Sequence, residues 1–219
     1  MTDEPTGFLY PFIDAAERDS SSLLVDLALS ARHKGAESRA LRAASLERWS
    51  DELGAAGAAM AERFRRGGRL LTFGNGGSAT DAEGAVDLFR SPPLGQSLPA
   101  LSLVDDRAVL TALANDVGFE LVFSRQVIAH ASSNDIAVGF STSGDSANVL
   151  RGLEEASRRG VLTVGFSGYS GGAMASSAFV AHCLVVASDS VHRIQEAQNA
   201  LMLRLWEVVQ GSLGVGVAS

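Results

Sequence analysis

Only one cysteine, Cys183, and one lysine, Lys34, occur in the 219 residues. A lone cysteine excludes a disulfide framework within the chain and any zinc site built on cysteines, and it points to a reducing compartment, so a cytoplasmic location is expected. Lys34 stands in a helical N-terminal stretch away from every glycine-rich loop. Its isolation removes the usual nucleophile for Schiff-base chemistry, and with it lysine-dependent aldolase and pyridoxal phosphate mechanisms. No glycine-rich stretch ends in Gly-Lys-Ser/Thr, which excludes a Walker loop. No run reaches the roughly 18 apolar residues of a membrane span, and the start, Met1-Thr2-Asp3-Glu4-Pro5, has no basic segment leading into an apolar one. Neither membrane insertion nor secretion is expected. A basic surplus is missing too: the net charge is -7, so no direct nucleic-acid partner is expected.

What the chain does have is 46% apolar residues and 23 glycines, enough for one sizeable core. From Phe8 to about Arg66 apolar residues recur at mainly helical spacings, which predicts two or three helices. Short apolar runs at 69–73, 99–104, 136–140, 161–166 and 179–186 then read as five strands, with helical segments such as 147–159 between them and a last helix at 191–209. Alternating strands and helices imply an α/β fold with a parallel sheet covered on both faces. The expected organisation is an N-terminal helical segment, 1–66, that packs on and completes a domain at 67–210, followed by a flexible tail at 211–219.

Two turns carry the chemistry. The first strand runs into Gly74-Asn75-Gly76-Gly77-Ser78, and the third into Ser141-Thr142-Ser143-Gly144-Asp145-Ser146. In an open parallel sheet ligands sit beyond the carboxyl ends of the strands, where the next helix presents unpaired N–H groups. Four hydroxyls in six residues suit a phosphate monoester, since each can donate to a phosphate oxygen without any lysine. A single hydroxyl before a helix reads as a cap or turn former. Four in one turn, matched by a glycine-rich turn on the same sheet edge, read as a binding site. The first turn also fits the G-x-G-x-x-A form of the dinucleotide fingerprint, but Asp105 and Asp106 come too late to be its acidic partner.

Gly74 to Ser78 (GNGGS), residues 114–119 (ANDVGF), 141–149 (STSGDSANV) and 193–198 (RIQEAQ) together resemble the sugar isomerase (SIS) domain family, in its phosphoheptose isomerase and DnaA initiator-associating subgroup. The resemblance runs from Gly67 onward. It implies a three-layer α/β/α sandwich of flavodoxin-like type with a five-stranded parallel sheet, assembled as a homo-oligomer, dimer or tetramer, with sites between subunits. It implies conversion of sedoheptulose 7-phosphate to heptose 7-phosphate, often with zinc. Carried onto this chain, Ser141, Thr142, Ser143 and Ser146 would hold phosphate, and Asn75, Gly76, Gly77, Ser78, Asn115, Asp116 and Gln195 would contact the sugar.

The departures are specific. Where the family carries a histidine and a glutamate on the helix after GNGGS, this chain has Gly84 and Leu88. Where it carries a histidine in the last helix, this chain has Leu203. Only Gln195 survives of the metal set, and one neutral amide does not make a zinc site, so no metal cofactor is expected. Replacement acid and base groups exist as Glu83 with Asp87 and as His192 with Glu196, each pair four apart on a helix; Glu83 and Asp87 also read as plain dipole-complementing acids. His33, His130 and His182 read as ordinary surface, helix and strand residues, and Trp49 and Trp206 as packing. The N-terminal lead-in is about one helix longer than the family's, a candidate assembly element. Three functions remain open: an isomerase with rearranged catalytic groups, a non-catalytic sugar-phosphate sensor or adaptor, and a phosphosugar lyase or etherase.

Overall fold

The computed structural model describes residues 20–214 of the chain. The chain divides into two compact units, Met1–Ala40 and Leu41–Ser219. Within the first, helix α1 (Ser20–Arg48) begins. Leu24, Val25, Leu27 and Leu29 are exposed along it, and His33 pairs with Glu37 at 3.5 Å. The sequence expectation for residues 8–19 lies outside the described residues. No helix among the described residues is long and apolar enough to cross a membrane.

In the second unit, α2 (Ser50–Arg65) precedes a five-stranded sheet: β1 (Leu70–Gly74), β2 (Ala100–Ser102), β3 (Ile136–Ser141), β4 (Leu162–Gly168) and β5 (His182–Val186). Between the strands run α3 (Gly77–Arg90), α4 (Arg107–Asp116), a 3-10 turn (Phe119–Leu121), α5 (Val122–His130), α6 (Ala147–Arg158) and α7 (Gly172–Ser176), and α8 (Val191–Ser212) closes the fold. All pairings are parallel and the order is β2-β1-β3-β4-β5. The expected α/β architecture with five parallel strands is what the structure shows.

Successive strand residues point to opposite faces, and each face has its own core. Leu70, Ile136, Val138, Phe140, Val164 and Phe166 pack with α2, α3 and α8 on one side. Leu71, Phe73 and Ala137 pack with α5 and α6 on the other. β1, β3 and β4 are buried along their whole length, which explains why they read as continuous apolar runs and not as alternating ones. Phe140 and Phe166 stack at 4.9 Å across the central strands; burying each such ring contributes about 2–3 kcal/mol. Trp49 donates its indole N–H to the carbonyl of Val185 at 2.8 Å, and His182 Nδ1 lies 2.8 Å from Glu52 Oε1, so this histidine is hydrogen-bonded to a carboxylate.

The order places a switch point between β1 and β3. After β1 the chain leaves as α3 toward one face; after β3 it leaves as α6 toward the other. The crevice opened there is where doubly wound sheets bind ligands. Both glycine- and serine-rich turns flank it.

Candidate functional site

The turn after β3 folds on itself. Ser141 Oγ lies 2.9 Å from Ser146 Oγ and 3.4 Å from Ser143 Oγ, and it accepts the Gly144 N–H at 3.1 Å. Ser146 occupies the N-cap position of α6, yet its hydroxyl makes no cap hydrogen bond. It turns instead to Ser141, so three hydroxyls cluster over the start of a twelve-residue helix. Helix starts leave N–H groups unpaired and carry a positive dipole end. Plain capping would have spent the Ser146 oxygen on the helix.

Gly144 makes the turn possible. Its φ is +74, a conformation costly to residues with a Cβ, and a Cβ there would collide with the carbonyl oxygen of Gly171. The loop after β4 docks on the turn through this close approach: Met174 N–H donates to the Gly144 carbonyl at 3.0 Å, and Ala173 N–H to Asp145 Oδ1 at 2.7 Å. The Asp145 carboxylate is thereby turned to α7.

The turn after β1 is clasped to α6. Asn75 and Asn148 exchange reciprocal amide hydrogen bonds of 2.8 and 2.9 Å, and Asn148 is buried. Gly76 precedes α3 at a φ of +55, and Ser78 is buried in the first turn of that helix.

On the α3 side of the sheet, Gln195 from the start of α8 reaches α3. Its Nε2 donates to Asp81 Oδ2 at 2.8 Å, and Asn199 Nδ2 donates to Asp81 Oδ1 at 3.2 Å. Asp81 is 7% exposed; burial pushes its carboxyl above the ordinary value, opposed by the two amide hydrogen bonds. Gly77 lies against the same amide, a Cβ there falling 2.5 Å from Gln195 Nε2. The structure therefore brings Gly77 and Gln195 together, and joins the Asn75 turn to the serine turn through Asn148.

Other sequence-predicted residues lie apart. Asn115 and Asp116 end α4, exposed, and hydrogen-bond to each other at 2.8 Å; no hydrogen bond among the described residues ties them to either turn. Glu83 and Asp87 line a shallow cleft of about 200 Å³ with Ser102 and Asp105, on the β2 side. His192 and Glu196 are exposed in the first turns of α8. With Gln195 and Asn199 they share one helix face at spacings of three, four and seven.

Asp81, Asn148 and Asn199 were not singled out from sequence. A signal existed for the first two: Asp81 falls in the buried stripe of α3 with Ser78, Ala82, Ala85 and Phe89, and Asn148 in that of α6 with Val149, Gly152 and Leu153. A polar side chain in an otherwise apolar stripe needs a partner.

The residues present do not fit the zinc that the family resemblance implies. The Cβ direction of Gly84 meets open space, Leu88 packs on the core, and Leu203 is exposed and apolar. Gln195 could offer a metal no more than one neutral amide oxygen, its nitrogen donating to Asp81. Among the described residues no three His, Cys, Asp or Glu gather as a metal set.

Comparison with known proteins agrees with this geometry. A SIS domain model matches residues 33–168. A phosphoheptose isomerase from Roseiflexus sp. (strain RS-1) is 44% identical over 156 residues, 69% of this chain and 77% of that protein. One from Aquifex aeolicus (strain VF5) is 39% identical over 176 residues, 80% of this chain and 91% of that protein. The solved structure of phosphoheptose isomerase GmhA from Neisseria gonorrhoeae superposes with a TM-score of 0.78 at 30% identity, covering 84% of this chain and 99% of that one.

Proposed function

Because the chain belongs to the SIS domain family and is phosphoheptose isomerase-like, we propose that it binds a sugar phosphate with its phosphate on the serine turn, and that it interconverts the ketose and aldose forms of sedoheptulose 7-phosphate. One observation carries the ligand class: the Ser141, Ser143 and Ser146 hydroxyls cluster over the α6 start at the switch point, with Ser146 withheld from capping. Thr142 completes the set of four.

Isomerisation needs a base for the proton next to the carbonyl and an acid for the oxygen, both within hydrogen-bond reach of the sugar. Glu83 and Asp87 belong to the cleft on the β2 side, so the relocated pair is His192 and Glu196, on the helix face that carries Gln195. No step runs through a metal; after dialysis the purified protein is expected to hold far less than one zinc per chain by plasma mass spectrometry, and stoichiometric zinc would refute this.

The second reading, a sugar-phosphate sensor or adaptor without catalysis, draws on Gly84, Leu88 and Leu203, none of which transfers a proton. Titration with sedoheptulose 7-phosphate in heavy water separates the two. Deuterium entering carbon 2, lost in Glu196→Gln, marks the isomerase. Stabilisation without exchange, lost in Ser143→Ala, marks the sensor, and no response to any sugar phosphate rejects the ligand class. The protein is proposed to work in the cytoplasm as a homo-oligomer, dimer or tetramer, with sites at subunit interfaces; light scattering on the eluting protein gives its mass.

A further inference from the structure

We propose that Asp81 is a positioning residue: it holds the Gln195 amide nitrogen, so that the amide oxygen is the end left beside Gly77 to accept a hydrogen bond from a sugar hydroxyl. The inference rests on the sugar-phosphate reading and adds the polarity of one contact.

A glutamine amide has a donor at one end and an acceptor of nearly the same shape at the other, so a neighbour must set which end faces a ligand. Asp81 is that neighbour. Its Oδ2 accepts from Gln195 Nε2 at 2.8 Å and its Oδ1 from Asn199 Nδ2 at 3.2 Å. An ionised carboxylate can only accept, so turning the Gln195 amide over would set two oxygens face to face at that distance. Asp81 is 7% exposed, and no cation pairs with it among the described residues, so the two amides alone satisfy its charge. Leaving a buried charge without donors costs more than an ordinary hydrogen bond is worth, which makes the hold stiff.

Gly77 forms the other wall. A Cβ there would lie 2.5 Å from Nε2, 2.8 Å from Oε1 and 3.0 Å from the carbon between them. The amide fills the room a side chain would take, and its Oε1 has no hydrogen-bond partner among the described residues. A half-buried acceptor of this kind favours a ligand that brings a hydroxyl over one that lacks it.

The test is calorimetric titration of sedoheptulose 7-phosphate and of inorganic phosphate into wild type, Asp81→Asn and Gly77→Ala. The amide introduced by Asp81→Asn can offer N–H as well as oxygen, which frees the Gln195 amide to turn. Sugar-phosphate affinity is expected to fall about tenfold, with inorganic phosphate unchanged because the serine turn is intact. Gly77→Ala guards against a misfolded Asp81 variant: its clash falls on the mobile end of the Gln195 side chain and not on backbone, so the chain folds while the amide is displaced, and the same selective loss is expected. Unchanged sugar-phosphate affinity, or equal loss for both ligands, overturns the assignment of Asp81. A wild type that binds neither ligand overturns the sugar-phosphate reading instead. The hold itself is read without ligand: one Gln195 Nε2 proton should resonate downfield in the NMR spectrum of wild type and return to its ordinary position in Asp81→Asn, and its absence from the wild-type spectrum also overturns the proposal.

Discussion

Gln198 is fully buried on the core face of α8, and neither atom of its amide has a hydrogen-bond partner. A buried polar group without a partner costs about 1–3 kcal/mol, whereas a methionine of similar length brings no such demand. Gln198→Met is therefore expected to raise stability by about 1 kcal/mol, or about 2–4 °C in midpoint for a chain of this size, measured by thermal denaturation; a lower midpoint would mean that the amide is satisfied in solution. Cys183 gives a second prediction. Burial first, and then the charge of Glu52, push its thiol up to about 11. The thiolate is the reactive form, so at pH 8 alkylation by iodoacetamide should run far slower in native protein than in denaturant, and equal rates would contradict this. Because the folded value is raised, the stability tied to the neutral thiol is complete below the ordinary value of 9.0 and is lost as pH rises through about 11.

Among the elements, the serine turn is where local sequence and tertiary packing meet. Replacing Gly144 by alanine puts a Cβ at a φ of +74 and against the Gly171 backbone, with no flexible side chain to yield. The backbone conformation alone costs about 1–2 kcal/mol. Gly144→Ala should lower the melting midpoint and weaken inorganic phosphate binding more than tenfold; a folded variant with wild-type phosphate affinity would show that the turn does not hold the phosphate. This turn was legible in the sequence because its cause is local: an apolar strand, a glycine, hydroxyls and an amphipathic helix in one stretch. The five strands were legible for the same reason, although β2 and β5 are shorter than their apolar runs suggested. Residues 179–181 do not extend β5, because Thr163 Oγ1 donates to the Phe179 carbonyl and accepts the Ala181 N–H. Helix α7 left no mark, since what holds it is tertiary: Met174 buried in the core and backbone hydrogen bonds to Gly144 and Asp145. The Asp81–Gln195 bond was illegible too: its residues stand 114 apart in the chain and meet only when α3 packs on α8. Nothing in either helix alone names the other.

On the scale of the whole molecule, the division after Ala40 falls where the described residues that pack on the core begin. Every residue of the two core clusters lies at Leu53 or later, and the partly buried residues packed on them begin at Leu41. Leu24, Val25, Leu27 and Leu29 are all about half exposed or more, so they bury little apolar surface, and apolar burial is the main favourable contribution to folding. Helix α2, by contrast, supplies Leu53, Met60 and Phe64 to the same core as the sheet, with Gly57 set against Val208 of α8. A chain starting at Leu41 should therefore melt in one cooperative step and bind inorganic phosphate as tightly as the full chain, measured by calorimetry on both. Failure of the shorter chain to melt cooperatively would mean that the first forty residues contribute to folding beyond the apolar burial seen here. Retained folding with a smaller assembled mass would instead assign them to association between copies, the role open to Leu24, Val25, Leu27 and Leu29, which are exposed and belong to neither core cluster.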